Sequence, residues 1–196
     1  MTRLVDDLLL LARSDAAALP LEIEDVEAEP FLTEVGERAR MLVSNAGGEL
    51  HLAIEDSAPL DIDPTRIEQA IMALVDNAAK YGGTGAPIEL TARRSGSEMC
   101  IGVRDRGPGI APDALPSIFE RFYRADRARA RSAGGTGLGL AIAKSIAEAH
   151  GGRIEAESRL GAGTVMTLVL PLRTEARAAL QVRPSDGEPQ AGEVTG

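Results

Sequence analysis

Apolar positions along the chain keep two rhythms, and the points where one gives way to the other mark out the elements. At the start, Leu4, Leu8 and Leu11 fall on one helical stripe and Val5, Leu9 and Ala12 on its neighbour. Asp6, Asp7 and Arg13 lie opposite, which predicts a helix over residues 2–18, ended by Pro20. So broad an apolar face, set ahead of the domain proper, wants a partner. Its own domain is one choice, and a helical bundle or dimer interface is the preferred one. Leu21 to Val26 alternates weakly, as in a short strand. Pro30 sits in the first turn of a helix running to about Asn45, where Asn45-Ala46-Gly47-Gly48 stops it.

Glu49 to Glu55 alternates as a strand. Asp63 then caps a helix that Pro64 opens, and Ile67, Ile71, Leu74, Val75 and Ala78 keep helical spacing as far as Tyr81. Gly82-Gly83-Thr84-Gly85 breaks it. Two strands follow, Ile88 to Arg93 and Glu98 to Asp105, around a Ser95-Gly96-Ser97 turn. From Arg106 to Thr136 the periodicity fades, arginines are frequent and glycines stand at both ends; a loop this long inside a compact domain tends to be functional. A helix from about Gly137 to His150 is closed by Gly151-Gly152. A last hairpin, Arg153 to Glu157 and Thr164 to Leu170, turns through Leu160-Gly161-Ala162-Gly163. Beyond Arg173 no rhythm remains, and disorder is expected from about Arg183. Clustered strands with few strand–helix–strand crossovers predict an α+β sandwich, not a doubly wound fold.

Composition adds bounds. The 196 residues suit one domain with extensions, and 44% hydrophobic with 26% charged residues reads as soluble and globular. With no Trp and 3% aromatics, the core must be built from Leu, Ile, Val and Ala. A net charge of -9 argues against a surface for nucleic acid or anionic lipid. It does not oppose a nucleotide, which backbone N–H groups, one or two cations and a metal handle locally. The single Cys100 excludes an internal disulfide, and its apolar run (Met99 to Val103) predicts a buried small hydrophobe. No signal peptide is visible, and the run Leu8–Ala12 is far shorter than the ~20 residues of a membrane span. The chain is therefore expected to be cytoplasmic and without direct membrane contact, any anchor of a longer protein lying upstream.

Three glycine clusters bracket the long loop: Gly107-Pro108-Gly109 after Asp105-Arg106, then Gly135-Thr136-Gly137-Leu138-Gly139-Leu140, then Gly161-Ala162-Gly163-Thr164. The middle one opens directly into a helix, whose free N–H groups and dipole suit a phosphate. It does not follow a strand of a βαβ unit, which rules against a dinucleotide fold. Asp105 ends an apolar strand, where a buried carboxylate needs a donor such as an adenine amino group; a solvated turn Asp is the plain alternative. Asn77 and Lys80, three apart, share a helix face. An amide oxygen there can ligate Mg²⁺ while the ammonium meets phosphate, although singly each reads as an ordinary surface or structural residue.

Taken together, these residues resemble the histidine-kinase branch of the ATPase superfamily that also holds DNA gyrase, the heat-shock chaperone ATPases and the mismatch-repair ATPases. The resemblance covers roughly residues 22–172 and five ordered motifs. Arg66-Ile67-Glu68-Gln69 through Asp76-Asn77-Ala78-Ala79-Lys80-Tyr81 looks like the N box, and Asp105 to Gly109 like the first glycine box. Ile118-Phe119-Glu120-Arg121-Phe122-Tyr123-Arg124 looks like the F box, and Gly135 to Ala141 and Gly161 to Thr164 like the other glycine boxes. The fold so implied is a two-layer α/β sandwich of the Bergerat type, with a mixed, mostly antiparallel sheet and helices on one face. Residues 1–20 would end a dimerisation helix, 21–173 form the ATP-binding domain with a lid at about 107–136, and 174–196 be a tail.

The same resemblance implies ATP and Mg²⁺ as cofactors. Asp105 would bind adenine, Asn77 would hold Mg²⁺, and Lys80 and Tyr81 would face the nucleotide. Gly107, Gly109, Ile110 and Thr164 would line it, and Gly135, Thr136, Gly137, Leu138, Gly139 and Leu140 would cradle phosphates. Phe119 and Phe122 would anchor the lid, and Arg121 or Arg124 would neutralise the transferring phosphoryl group. The implied activity is an ATP-dependent protein-histidine kinase, its partners being a helix-borne acceptor His and a response regulator. A nucleotide-binding regulatory module with little transfer, or a stand-alone ATPase or serine kinase, are the rivals. Two departures matter. Ala73 stands where the kinase branch commonly has Asn and the hydrolytic branches a Glu base, so efficient hydrolysis is not expected and Mg²⁺ should bind more weakly. The chain's two histidines, His51 in a strand and His150 at a helix end, lack an acceptor context, so the acceptor lies elsewhere. A monomer or weak dimer is expected.

Overall fold

The computed structural model describes residues 10–11, 19–83, 85–124 and 136–172. Among these residues, helices α1 (Ala28–Asn45), α2 (Pro64–Tyr81) and α3 (Gly139–Ala149) are joined by seven strands. These are β1 (Glu24–Val26), β2 (Leu50–Ile54), β3 (Leu60–Ile62), β4 (Ile88–Ser95), β5 (Glu98–Asp105), β6 (Arg153–Arg159) and β7 (Gly163–Pro171). The main sheet has the order β2-β4-β5-β7-β6, antiparallel except that β2 runs parallel to β4. The short β1 and β3 form their own antiparallel pair. The expected mixed, mostly antiparallel sheet is therefore present.

Side-chain alternation sorts the layers. Met99, Ile101 and Val103 of β5 and Met166, Leu168 and Leu170 of β7 are buried on the helix side. They meet Ile67, Ile71, Leu74 and Val75 of α2 and Ala143, Ile146 and Ala147 of α3. Each fully buried Leu or Ile contributes about 1.5–3 kcal/mol. The opposite face is polar: Glu89, Arg93, Arg153 and Glu155 lie there, with Arg153 bridging Glu98 and Glu155. Cys100 belongs to that outer face and is only half-buried, because its place in the alternation sets it opposite Met99 and Ile101. No described helix is long and apolar enough to cross a membrane.

Two elements depart from the sequence expectation. Strand β3 was not expected: three residues, Leu60-Asp61-Ile62, are too few to show alternation, and pairing with β1 makes them a strand. The helix expected over 2–18 lies outside the described residues except for Leu10 and Leu11. These two are helical and 6% and 1% exposed, packed into the domain's own core.

The start of α2 and the end of α3 are tied through one imidazole. Asp63 caps α2 as expected, its Oδ1 accepting from the Arg66 N–H at 3.0 Å and its Oδ2 from the Glu22 N–H at 3.1 Å. Its own N–H donates to His150 Nε2 at 3.0 Å, while His150 Nδ1–H donates to the Ile146 carbonyl at 2.7 Å. His150 is thus a neutral ring with both nitrogens engaged, not a cation at a helix end. Burial pushes its pKa down, against the upward pull of the Ile146 carbonyl and the Asp63 carboxylate.

The unfolded chain takes up this proton near pH 6.5, the folded chain only below that. In between, the unfolded state binds more protons, so stability is intact above about pH 6.5 and falls as the pH drops below it. Melting scans from pH 8 to 5 should show the parent losing several degrees relative to His150→Gln below about pH 6.5, with parallel curves above. Parallel curves throughout would remove the clamp.

Candidate nucleotide site

Three polar side chains make one row across the otherwise apolar inner face of the sheet. In register, Ser158 of β6 stands opposite Thr164 of β7, and Thr164 opposite Asp105 of β5. The neighbouring row is Ala156, Met166 and Val103. Asp105 is 8% exposed and accepts the Gly107 N–H at 2.8 Å. Burial raises its pKa above the usual carboxylate value, and the backbone N–H groups of Gly107 and Thr164 pull it back. The end of α2 comes down onto this carboxylate because residue 82 is glycine. A Cβ there would sit 2.7 Å from the Asp105 Cβ and 2.4 Å from the Ala78 carbonyl oxygen.

The first glycine loop is pinned to the β6–β7 turn. Gly161 N–H donates to the Pro108 carbonyl at 2.8 Å, and Ile110 N–H to the Ser158 hydroxyl at 2.8 Å. Gly107 and Gly109 are closely packed, a Cβ falling 2.5 Å from the Tyr81 carbonyl oxygen at the first and 2.2 Å from the Arg159 carbonyl oxygen at the second, and Thr164 is 5% exposed beside Asp105.

Along α2 the other candidates follow at helical spacing. Ala73 lies near the start of α3, a Cβ at Gly139 falling 3.9 Å from the Ala73 Cβ. Asn77 is one turn further on, half-buried, and Lys80 follows with its Nζ 2.5 Å from Asp76 Oδ2. Tyr81 is exposed at the helix end. Helix α3 begins two residues later than expected, and its first ladder bond runs from Ile142 N–H to the Leu138 carbonyl. The N–H groups of Gly139, Leu140 and Ala141 thus have no helical partner and carry the positive end of the dipole. Leu138 is fully buried beneath them, Thr136 is exposed, and Gly135 lies outside the described residues.

A 3₁₀ turn (Leu115–Ser117) leads into the F box, whose Ile118 and Phe119 pack on the core. Phe122 does not anchor by its side chain as expected: it is 60% exposed, with φ at +61°. Its backbone does the holding, the N–H donating to the Gly137 carbonyl at 2.9 Å. Gly137 (φ +75°) is packed so closely that a Cβ would meet the Phe122 Cα at 2.9 Å. Arg121 Nη2 donates to the Leu11 carbonyl at 3.2 Å, and Arg124 is half-buried. Of the expected lid, 107–124 and 136 are described and 125–135 lie outside.

Sequence reasoning missed Ser158 and the His150 clamp. Ser158 had a visible signal: a hydroxyl on the side of β6 where Ile154 and Ala156 turn inward. His51, by contrast, is exposed beside Glu49. Among the described residues no three or more His, Cys, Asp or Glu converge as a metal cage.

Residues 62–174 match the family model described as histidine kinase-, DNA gyrase B-, and HSP90-like ATPase. The chain is 37% identical over 173 residues to the sensor-like histidine kinase SenX3 of Mycobacterium tuberculosis, covering 88% of this chain and 42% of that protein. It is 37% identical over 171 residues to the sensor protein SrrB of Staphylococcus aureus, covering 87% of this chain and 29% of that one. The chain thus spans less than half the length of these curated relatives. Among solved structures, full-length ShkA in complex with AMPPNP superposes with a TM-score of 0.77 at 33% identity, covering 88% of this chain and 36% of that one. The nucleotide-free catalytic domain of the histidine kinase ThkA gives 0.67 at 25%, covering 78% and 97%.

Proposed function

The chain belongs to the histidine kinase-, DNA gyrase B- and HSP90-like ATPase family, and from that premise we propose that it is the ATP-binding catalytic part of a sensor histidine kinase. It takes the γ-phosphoryl group of Mg·ATP and passes it to a His outside residues 1–196, which in turn serves a response regulator. One observation carries the reading. Along α2, the buried Asp105 lies under Gly82, and the N–H groups at the start of α3, ahead of its first ladder bond, lie beside Ala73. Nine residues at 1.5 Å rise separate the two by about 13 Å, comparable to an extended nucleoside triphosphate.

In this reading Asp105 accepts a hydrogen bond from the adenine amino group, and the N–H groups of Gly139 and Leu140 receive the phosphates. Bound Mg²⁺ would neutralise part of the phosphate charge. The Asn77 amide oxygen is the ligand available on that face, and a hard oxygen suits a cation that keeps most of its waters. Lys80 and Tyr81, at the Gly82 end of α2, face the nucleotide, and Arg121 or Arg124 would meet the charge on the group in flight. As the acceptor nitrogen bonds to phosphorus, the bond to the ADP oxygen breaks. No carboxylate stands at residue 73 to activate water, which favours a helix-borne His over hydrolysis. His150, with both nitrogens bonded, is not that acceptor.

Supplying a separate helical fragment with an acceptor His and γ-labelled ATP tests the proposal. Acid-labile label on the fragment supports it. Acid-stable label points to a serine kinase, free phosphate to an ATPase, and binding without transfer to a regulatory module, the reading Ala73 would favour. Ala73→Asn should add a second amide oxygen one turn before Asn77 and lower the Mg²⁺ needed for half-maximal ATP binding about three- to tenfold. An unchanged Mg²⁺ dependence removes the metal role of that turn.

A further inference from the structure

The row Ser158–Thr164–Asp105 has a direction, fixed by counting protons. Ser158 Oγ lies 2.8 Å from the Ile110 N–H, 2.9 Å from the Gly163 carbonyl oxygen and 2.9 Å from Thr164 Oγ1. The Ile110 amide can only donate and the Gly163 carbonyl can only accept. A serine hydroxyl carries one proton and two lone pairs. If that proton goes to Gly163, Thr164 must donate to Ser158, and all three bonds are made. If it goes to Thr164, the Gly163 contact has no proton. The first arrangement satisfies one more group at a site where an unmade bond costs about 1–3 kcal/mol.

From this we infer that Ser158 is the specificity-determining residue of the base pocket. By consuming the Thr164 hydroxyl proton it leaves Thr164 Oγ1 with lone pairs only. Opposite Thr164, the Asp105 carboxylate likewise only accepts. The floor beneath the end of α2 is therefore acceptor-only. It suits a purine with a donor at carbon 6, such as the amino group of adenine, and turns away one with a 6-oxo group, whose lone pairs would face lone pairs. Asp105 alone does not set this preference, since a free Thr164 hydroxyl beside it could turn its proton toward a 6-oxo base. The pinning from behind withholds that option. Ser158 itself faces Ile110 and Gly163, so it acts through Thr164 as a positioning residue.

This inference rests on the nucleotide reading, and the experiment separates the two. ATP and inosine triphosphate, which replaces the 6-amino group by oxygen, are titrated calorimetrically into the parent, Ser158→Ala and Ser158→Thr. The parent should prefer ATP by on the order of 100-fold, the penalty for unpaired buried polar groups. Ser158→Ala, which returns the proton to Thr164, should narrow that ratio about tenfold, with inosine triphosphate affinity held or improved. Ser158→Thr keeps a hydroxyl and should restore the parent ratio. Equal weakening toward both nucleotides in Ser158→Ala, or a ratio lost in a folded Ser158→Thr, overturns the inference and makes Ser158 a mere buttress. Should Ser158→Ala fail to fold, the Ser158→Thr ratio decides alone. A parent that binds neither nucleotide defeats the nucleotide reading itself, and this inference with it.

Discussion

Asp105→Asn is expected to lose ATP binding by about 100-fold while the nucleotide-free domain melts no lower than the parent. The loss follows from replacing a charge-assisted acceptor, which contributes about 1.5–3 kcal/mol, by an amide whose NH₂ opposes the adenine amino group. The stability side follows from burial. Because the folded pKa of Asp105 lies above its unfolded value, the folded state takes up the proton first as the pH falls. The ionised carboxylate therefore costs stability at neutral pH, a cost relieved as the pH drops through the folded pKa toward the unfolded one. Asparagine never ionises, and its oxygen can still accept the Gly107 N–H. Melting at pH 7 should thus be equal to the parent or a few degrees higher, the advantage fading in acid. Calorimetry and melting on the same two proteins check both halves. A variant that loses binding and stability together would make Asp105 a structural residue.

The second large effect separates two glycines of one turn. Gly163 has φ +90° and lies so close to β5 that a Cβ would stand 2.1 Å from the Asp105 carbonyl oxygen and 2.8 Å from the Arg106 Cα. Both are backbone, which cannot step aside as a flexible side chain would. Gly161 has φ +76° with nothing within 4 Å. Gly161→Ala should bear only the left-handed backbone cost, about 1–2 kcal/mol. Gly163→Ala adds a collision that must pry β7 from β5, about 4 kcal/mol or more. At roughly 2–4 °C per kcal/mol, the expected Tm losses are a few degrees for Gly161→Ala and more than ten for Gly163→Ala, which should also lose ATP binding. Similar losses would mean that φ, not proximity, dominates.

Much of the fold could be read in the chain because local signals agreed with tertiary ones. Asp63-Pro64 opened α2 where the cap geometry puts it, and the 3.6-residue spacing from Ile67 to Ala78 matched the buried face. Residues 98–105 alternated as β5 does. What stayed hidden was set by partners distant in sequence. Strand β3 exists through β1, and the state of His150 comes from Asp63, 87 positions away. The resemblance implied both Phe119 and Phe122 as lid anchors; Phe119 packs on the core, whereas Phe122 is exposed and tied by its backbone bond to Gly137. Leu11, on one of the predicted apolar stripes, is buried in the domain's own core, one of the two placements the sequence left open. In the candidate site, Asp105, Asn77 and the glycines were visible as residue types, and the order of the hydroxyl protons behind them was not.

The β5–β7 seam has a consequence for how the domain assembles. Hairpins β4–β5 and β6–β7 each close over a short turn, but Asp105 and Thr164, the facing pair at one end of the seam, stand about sixty positions apart in the chain. The cost of closing so long a loop delays that pairing relative to the hairpins. A half-assembled chain with both hairpins formed but unjoined has no Ser158–Thr164–Asp105 row, so a nucleotide finds nothing to grip until the seam has shut. A ligand of that row would therefore act as a latch on a closed seam, slowing the rate at which the domain comes apart and leaving the rate at which it forms almost untouched.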